Sequence, residues 1–266
     1  MASRRAWMAK PGVSVAMTVI LMALLVGLLL GLVDLEAVED DEIRVVCAAV
    51  FREPMEEIAR RYEKETGVRV VCHFGGSGGL AAQLPFTGGD LFFPAADQYL
   101  DPLRKRGVVL SEKAMIRLKP GLVVASGNPK GIRKFSHLFQ KGVRVSLGNR
   151  SAAIGRVTWA VIKQEGLEEK MNETLLVTKP TVTEVVTDVA LGAADVAIAW
   201  DAVSKNDARV EWIEIEELIR NDSLAPMAVL QSSFSREKAT DFVDYCADPE
   251  KGGLVFKEMR FRLSLD

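Results

Sequence analysis

The sequence predicts an α/β chain of two lobes, each a mixed, mostly parallel sheet flanked by helices, behind an N-terminal transmembrane helix. Three observations predict this. Strand-like apolar runs alternate with helix-like segments from Ile43 onward, the turn Gly127-Asn128-Pro129-Lys130-Gly131 separates two such series, and residues 13 to 33 carry no charge. Alternation of this kind builds βαβ units, whose ligands collect beyond the carboxyl ends of the strands.

The uncharged run is long enough to cross a hydrocarbon core of about 30 Å as a helix. Arg4, Arg5 and Lys10 precede it, and Asp34, Glu36, Glu39, Asp40, Asp41 and Glu42 follow it. The basic flank is therefore expected to stay cytoplasmic and the body to lie outside. A cleaved signal peptide is the rival, but its apolar core would span about 7–15 residues and end at a small-residue site. Leu35-Glu36-Ala37 fits such a site poorly. The expected organisation is a stub, anchor and acidic linker over residues 1–41, a first lobe from 42–124 and 226–266, and a second lobe from 125–225. The expected location is the cell membrane, single-pass, with the body on the periplasmic or extracellular side.

A net charge of −2, with both signs interspersed, leaves no electrostatic footprint for nucleic acid, and none is expected as a partner. Three cysteines, Cys47, Cys72 and Cys246, and two histidines, His73 and His137, make neither a disulfide framework nor a spaced metal site. No metal or cofactor is expected. Cys47 and Cys72 would pair only if their strands were neighbours.

Ile43 to Val50 reads as a buried strand and Pro54 to Lys64 as an amphipathic helix. The strand-like Val68 to Phe74 leads into Gly75-Gly76-Ser77-Gly78-Gly79 and then a helix from Leu80, with Asp90 to Phe93 as a further strand. Four glycines there let the main chain bring bare N–H groups to a helix start, where orphan donors and the dipole favour an anion. In the second series, strands are expected at Val143–Leu147, Asp195–Trp200 and Val210–Ile215, the last as an edge. Helices are expected at Arg156–Glu165 and Thr181–Leu191. Pro226–Leu230 reads as a return crossing, closed by helices at Arg236–Cys246 and Gly252–Met259.

With these pieces in this order, the chain resembles the type II solute-binding proteins of ABC transporters, most closely their molybdate-binding branch. The landmarks are Val46 to Val50 followed by Met55 to Ala59, Phe74 to Leu80, Asp90 to Asp97, Leu147-Gly148-Asn149 with Gly155-Arg156, and Gly192 to Ile198. The resemblance implies two lobes joined by crossing strands, a small oxyanion held in the cleft without chemistry, and delivery to a membrane permease. It places Ala49, Val50, Ser77 and Gly78 at the ligand from one lobe, and Ile154, Gly155, Val182 and Trp200 from the other. Val50 stands where the family usually has a serine, and Trp200 where it normally has a tyrosine. The indole N–H of Trp200 either replaces that hydroxyl or simply fills space.

Molybdate is fully ionised near neutral pH and only accepts hydrogen bonds, so a pocket of neutral donors suits it and rejects a protonated phosphate. Arg52 and Arg156 lie close to the proposed anion loops and are candidates for charge-assisted contacts, against solvated or ion-paired roles. Asp97 and Asp201 would repel an anion and are expected to cap local structure or pair with bases. The expected chain is a monomer that binds molybdate or tungstate. The same fold binding another anion or a small organic acid, as a sensor or non-transport protein, is the alternative. An enzyme using Cys47 as nucleophile and His73 as base is disfavoured, because Cys47 lies inside a strand and nothing orients His73.

Overall fold

The computed structural model describes residues 42–264 and, upstream of them, Met22. The expected anchor and its linker lie outside the described residues, Met22 apart. Among the described residues no helix is long and apolar enough to cross a membrane.

Among the described residues eleven strands run in chain order as β1 (Glu42–Ala48), β2 (Arg69–Gly75), β3 (Leu91–Phe93), β4 (Val109–Leu118), β5 (Pro120–Ala125), β6 (Val145–Gly148), β7 (Leu175–Lys179), β8 (Val196–Trp200), β9 (Val210–Ile213), β10 (Ser223–Leu230) and β11 (Arg262–Leu263). They form two sheets, ordered β11-β4-β10-β3-β1-β2 and β7-β6-β8-β5-β9. The expectation of mostly parallel sheets is corrected: four of nine pairings are parallel and five antiparallel. The antiparallel pairs all involve the crossing segments β4, β5 and β10, or the edge strands β9 and β11 beside them. A chain that leaves one sheet and returns to it enters against the direction of the βαβ strands. The strand Pro120–Ala125, read from sequence as the end of the first lobe, is hydrogen-bonded to β8 and β9 in the second sheet.

Local sequence accounts for the principal elements. Val45, Val46, Cys47 and Ala48 are all buried, as a central strand flanked by parallel partners requires. The helix Arg52–Thr66 buries Met55, Ile58 and Tyr62 at helical spacing and stops at Gly67, whose φ of 79° suits a glycine. The helix Val182–Ala190 buries Val182, Val185, Val186 and Val189 against β5, β6 and β8. Its start is fixed by a capping box between Thr181 and Glu184.

Beneath the end of β1 lies an aromatic cluster. Phe51 stacks on Phe93 at 4.0 Å between centroids, and Phe256 meets both edge-on. The residues around Val50 are thereby mounted on rigid packing. The three cysteines are free: Val45 pairs with Cys72 and Cys47 with Phe74, so the thiols are two residues out of register on neighbouring strands.

Candidate functional site

The carboxyl ends of β1, β2, β6, β7 and β8 converge on one cavity. Its wall runs through Ala48 to Val50 after β1, Gly75 to Ser77 after β2, Ala152 to Ile154 after β6, Pro180 to Val182 after β7, and Trp200 at the end of β8. It leaves about 20 Å³ for the centre of a water-sized sphere. About 10–15 Å³ on that measure holds one water, so the guest must be compact.

Four of the segments that enter the cavity begin helices. The chain turns helical at Ala49 after β1, at Ser77 after β2, at Ala153 after β6 and at Val182 after β7. The first N–H groups of a helix have no partner within it. At Ala48, Gly76 and Ala152, which precede the first three starts, no side chain caps the turn. Leu80 N–H is the first to bond back, to Gly76, and Arg156 N–H the first to bond back to Ala152. The N–H groups of Ser77, Gly78 and Gly79, and of Ala153, Ile154 and Gly155, precede these bonds. Only the fourth helix is capped, with Thr181 Oγ1 accepting from Glu184 N–H and leaving the Val182 and Thr183 donors ahead of it. No ionisable side chain lines the cavity. Its polarity comes from helix ends, which carry partial positive charge.

Ser77 adds a hydroxyl. It is buried, and its Oγ accepts from Ala95 N–H at 3.0 Å, so its own proton is left to donate. Trp200 is also buried and lines the cavity, while Val50 contributes an apolar wall.

Six of the eight residues singled out from sequence therefore share this cavity: Ala49, Val50, Ser77, Ile154, Val182 and Trp200. Gly78 and Gly155 are not among its lining residues. Gly78 lies against the second sheet's loop, where an added Cβ would sit 2.3 Å from the Ser151 carbonyl oxygen. A Cβ on Gly76 would likewise meet the Pro180 carbonyl oxygen at 2.3 Å. The two sheets' loops thus touch main chain to main chain, which only glycine permits. The helix expected to follow the glycines begins at Ser77 itself, so Gly78 and Gly79 form its first turn.

The candidate arginines are engaged elsewhere. Arg52 stacks on Phe74 at 4.3 Å and pairs with Glu56 at 3.3 Å, and Arg156 sits over the Tyr99 ring at 5.5 Å. The aspartates pair with bases, as the sequence suggested: Asp97 with Arg104, and Asp201 with Lys205 at 3.4 Å. Asp201 also accepts from Lys119 N–H at 3.1 Å. Cys47 is fully buried, which pushes its thiol well above the ordinary value, and His73 is exposed. That pair does not make an activated nucleophile.

Sequence reasoning placed Gly75 and Gly76 in the anion cradle but missed Ala48, Ala95, Ala152, Ala153, Pro180 and Thr181 in the wall. Thr181-x-x-Glu184 was legible as a capping box, whereas Ala95 and Ala152 carry no local signal.

The model of a family described as bacterial extracellular solute-binding protein matches residues 43–255. The chain belongs to that family. The match covers every strand of both sheets except the edge strand β11, and every segment of the cavity wall, and the family is one of binding proteins, not of enzymes. A molybdate-binding protein ModA from Azotobacter vinelandii is 27% identical over 228 residues, covering 80% of this chain and 87% of the relative. The solved periplasmic molybdate-binding protein of Azotobacter vinelandii superposes with a TM-score of 0.69 at 22% identity, covering 83% of this chain and 99% of that one. The sulfate-binding protein SubI from Mycobacterium tuberculosis superposes with a TM-score of 0.70 at 19% identity, covering 84% and 87%. At these identities the two structures show the fold; together with the family match and the ModA relative they make the chain a type II periplasmic solute-binding protein, similar to the molybdate-binding ones.

Proposed function

We propose that this protein captures a small tetrahedral oxyanion, molybdate or tungstate, outside the cytoplasm and delivers it to an ABC permease. The observation that carries this reading is the meeting of uncapped helix starts and the Ser77 hydroxyl on a compact cavity without an ionisable group. Such a wall offers donors to an acceptor-only guest and presents no carboxylate to repel it. A cavity this small has no room for a sugar or an amino acid. The molybdate-binding relative at 27% identity supports the choice of ligand. The binding groups are Val50 N–H, the Ser77 hydroxyl and N–H, Ile154 N–H, Val182 N–H and the Trp200 indole, with Ala49, Gly78 and Gly155 shaping the turns. The two lobes close over the guest. The uncharged run at residues 13 to 33 tethers the monomer to the membrane through the acidic linker.

Titration calorimetry on residues 42–266, which form one compact unit, tests this with molybdate, tungstate, sulfate and phosphate. Saturable heat with molybdate or tungstate is expected, and silence from all four removes the oxyanion reading.

A second reading rests on an adjoining cavity of about 80 Å³ that shares Ala49 and Val50 and is bordered by Arg52, Thr183 and Asn206. A substituted anion or small organic acid would place its charged head at the helix starts and its remainder there. Mass spectrometry of the ligand that co-purifies distinguishes the two.

A further inference from the structure

The cavity wall is contributed by loops of both sheets, so a guest enters only when those loops part. A side-chain hydrogen bond spans them beside the cavity. Tyr99 lies just after β3 of the first sheet, and its hydroxyl donates to the main-chain carbonyl of Ser151, in the loop after β6 of the second, at 2.8 Å. The acceptor is held in place. Asn149 Oδ1 accepts from Ser151 N–H, Ser151 Oγ–H and Ala152 N–H at 3.0, 2.8 and 2.9 Å, which fixes the loop that leads into the helix start at Ala153. The same Ser151 carbonyl is the atom against which Gly78 packs. From the second sheet's side, Arg156 covers the Tyr99 ring.

We propose that Tyr99 is a positioning residue that latches the closed protein, holding the Ser151 loop so that the N–H donors at Ala153 and Ile154 face the guest. Tyr99 touches no ligand itself, being absent from the cavity wall. Its bond to Ser151 exists only when the loops are together, so it must break whenever they part, and it holds a bound guest in by slowing opening. Burial pushes the Tyr99 phenol up to about 12, which keeps the donor proton in place throughout the neutral range. Tyr99→Phe retains the ring beneath Arg156 and removes only the hydroxyl.

The kinetic arm rests on the oxyanion reading, whereas the exchange arm does not. In stopped-flow tryptophan fluorescence of the full-length protein with molybdate, Tyr99→Phe is expected to raise the dissociation rate about twofold to tenfold, the value of one neutral hydrogen bond. The association rate is expected to hold or to rise, since the latch also closes the empty protein. A merely structural role would lower the melting temperature and leave the dissociation rate at its wild-type value. In the ligand-free full-length protein, amide exchange over residues 149–156 is expected to quicken in Tyr99→Phe. An unchanged dissociation rate in a protein that binds molybdate overturns the latch. If the wild type binds no molybdate, the functional reading fails and exchange alone decides: faster exchange upholds the latch, and equal exchange overturns it.

Discussion

The helices Ala153–Gln164 and Arg236–Ala247 are each 12 residues long, and neither receives a hydrogen bond from a capping side chain. They differ in where they begin. Ala152, Ala153, Ile154 and Gly155 are buried at the start of the first, whereas Arg236 and Glu237 at the start of the second are exposed. Orphan N–H groups at a surface start are satisfied by water at little cost. Orphan N–H groups at a buried start, beside a compact cavity, are costly until something accepts from them. A missing cap therefore means little at Ser235, whereas at Ala152 it fits the proposed guest. The starts after Ala48 and Gly76 are intermediate cases: Val50 and Ser77 are buried, Ala49, Gly76 and Gly78 half-buried, and Gly79 exposed, so the unmet donors nearest the cavity are those of Val50 and Ser77.

The sharpest way to break this contrast is to supply the missing acceptor. Ala152→Asp would put a carboxylate at the buried helix start, occupying the donors and repelling an anion. One pair of unit charges at about 4 Å and an effective dielectric of about 20 is worth about 4 kcal/mol. Molybdate affinity measured by calorimetry is expected to fall on the order of a thousandfold or more. Ser77→Ala removes a donor to a charged guest, worth about 1.5–3 kcal/mol, and should weaken binding roughly tenfold to a hundredfold. It also strips Ala95 N–H of its acceptor, so a small loss of thermal stability should accompany it.

Smaller again is the matching change at the surface. Ser235→Asp should stabilise the protein by about 0.3–1 kcal/mol through the helix dipole and leave molybdate affinity unchanged. Equal binding losses from Ala152→Asp and Ser235→Asp would show that the buried start is not special. The absence of ionisable groups from the wall gives a further expectation. Molybdate affinity should be flat from about pH 7 to about pH 10, where an ordinary tyrosine begins to ionise. A step within that window, followed by calorimetry, would implicate a charged ligand group.

Much of this was legible in the sequence because its signals are local. The alternation of apolar runs and helical segments announced the βαβ units, and Gly75 to Gly79 announced a turn into a helix that favours an anion. Element ends moved by a few residues, chiefly where helices begin: the helix expected from Arg156 starts at Ala153, and the one expected from Leu80 starts at Ser77. Alanine and glycine at the cap positions conceal those starts, since the usual capping residues are absent. The strand β4 was not foreseen. Its Ser111, Glu112 and Lys113 are exposed, and its partner β10 lies more than a hundred residues away, so neither hydropathy nor proximity marks it. The predominance of parallel strands was overestimated for a related reason, because crossing strands take their direction from the route of the chain. Tyr99 was invisible too. Its contact with Ser151 spans 52 residues and ends on a main-chain carbonyl.

On the proposed reading, the helix starts at Ala49, Ser77, Ala153 and Val182 hold one oxyanion together. A crystal structure with tungstate, located by its anomalous scattering, tests it most directly. The metal centre is expected in the cavity between Ser77 and Ile154, with oxygens within hydrogen-bond distance of the Ser77 hydroxyl and of main-chain N–H groups from both sheets' loops. Tungstate bound elsewhere, or held by side-chain cations with those N–H groups pointing away from it, would contradict the claim.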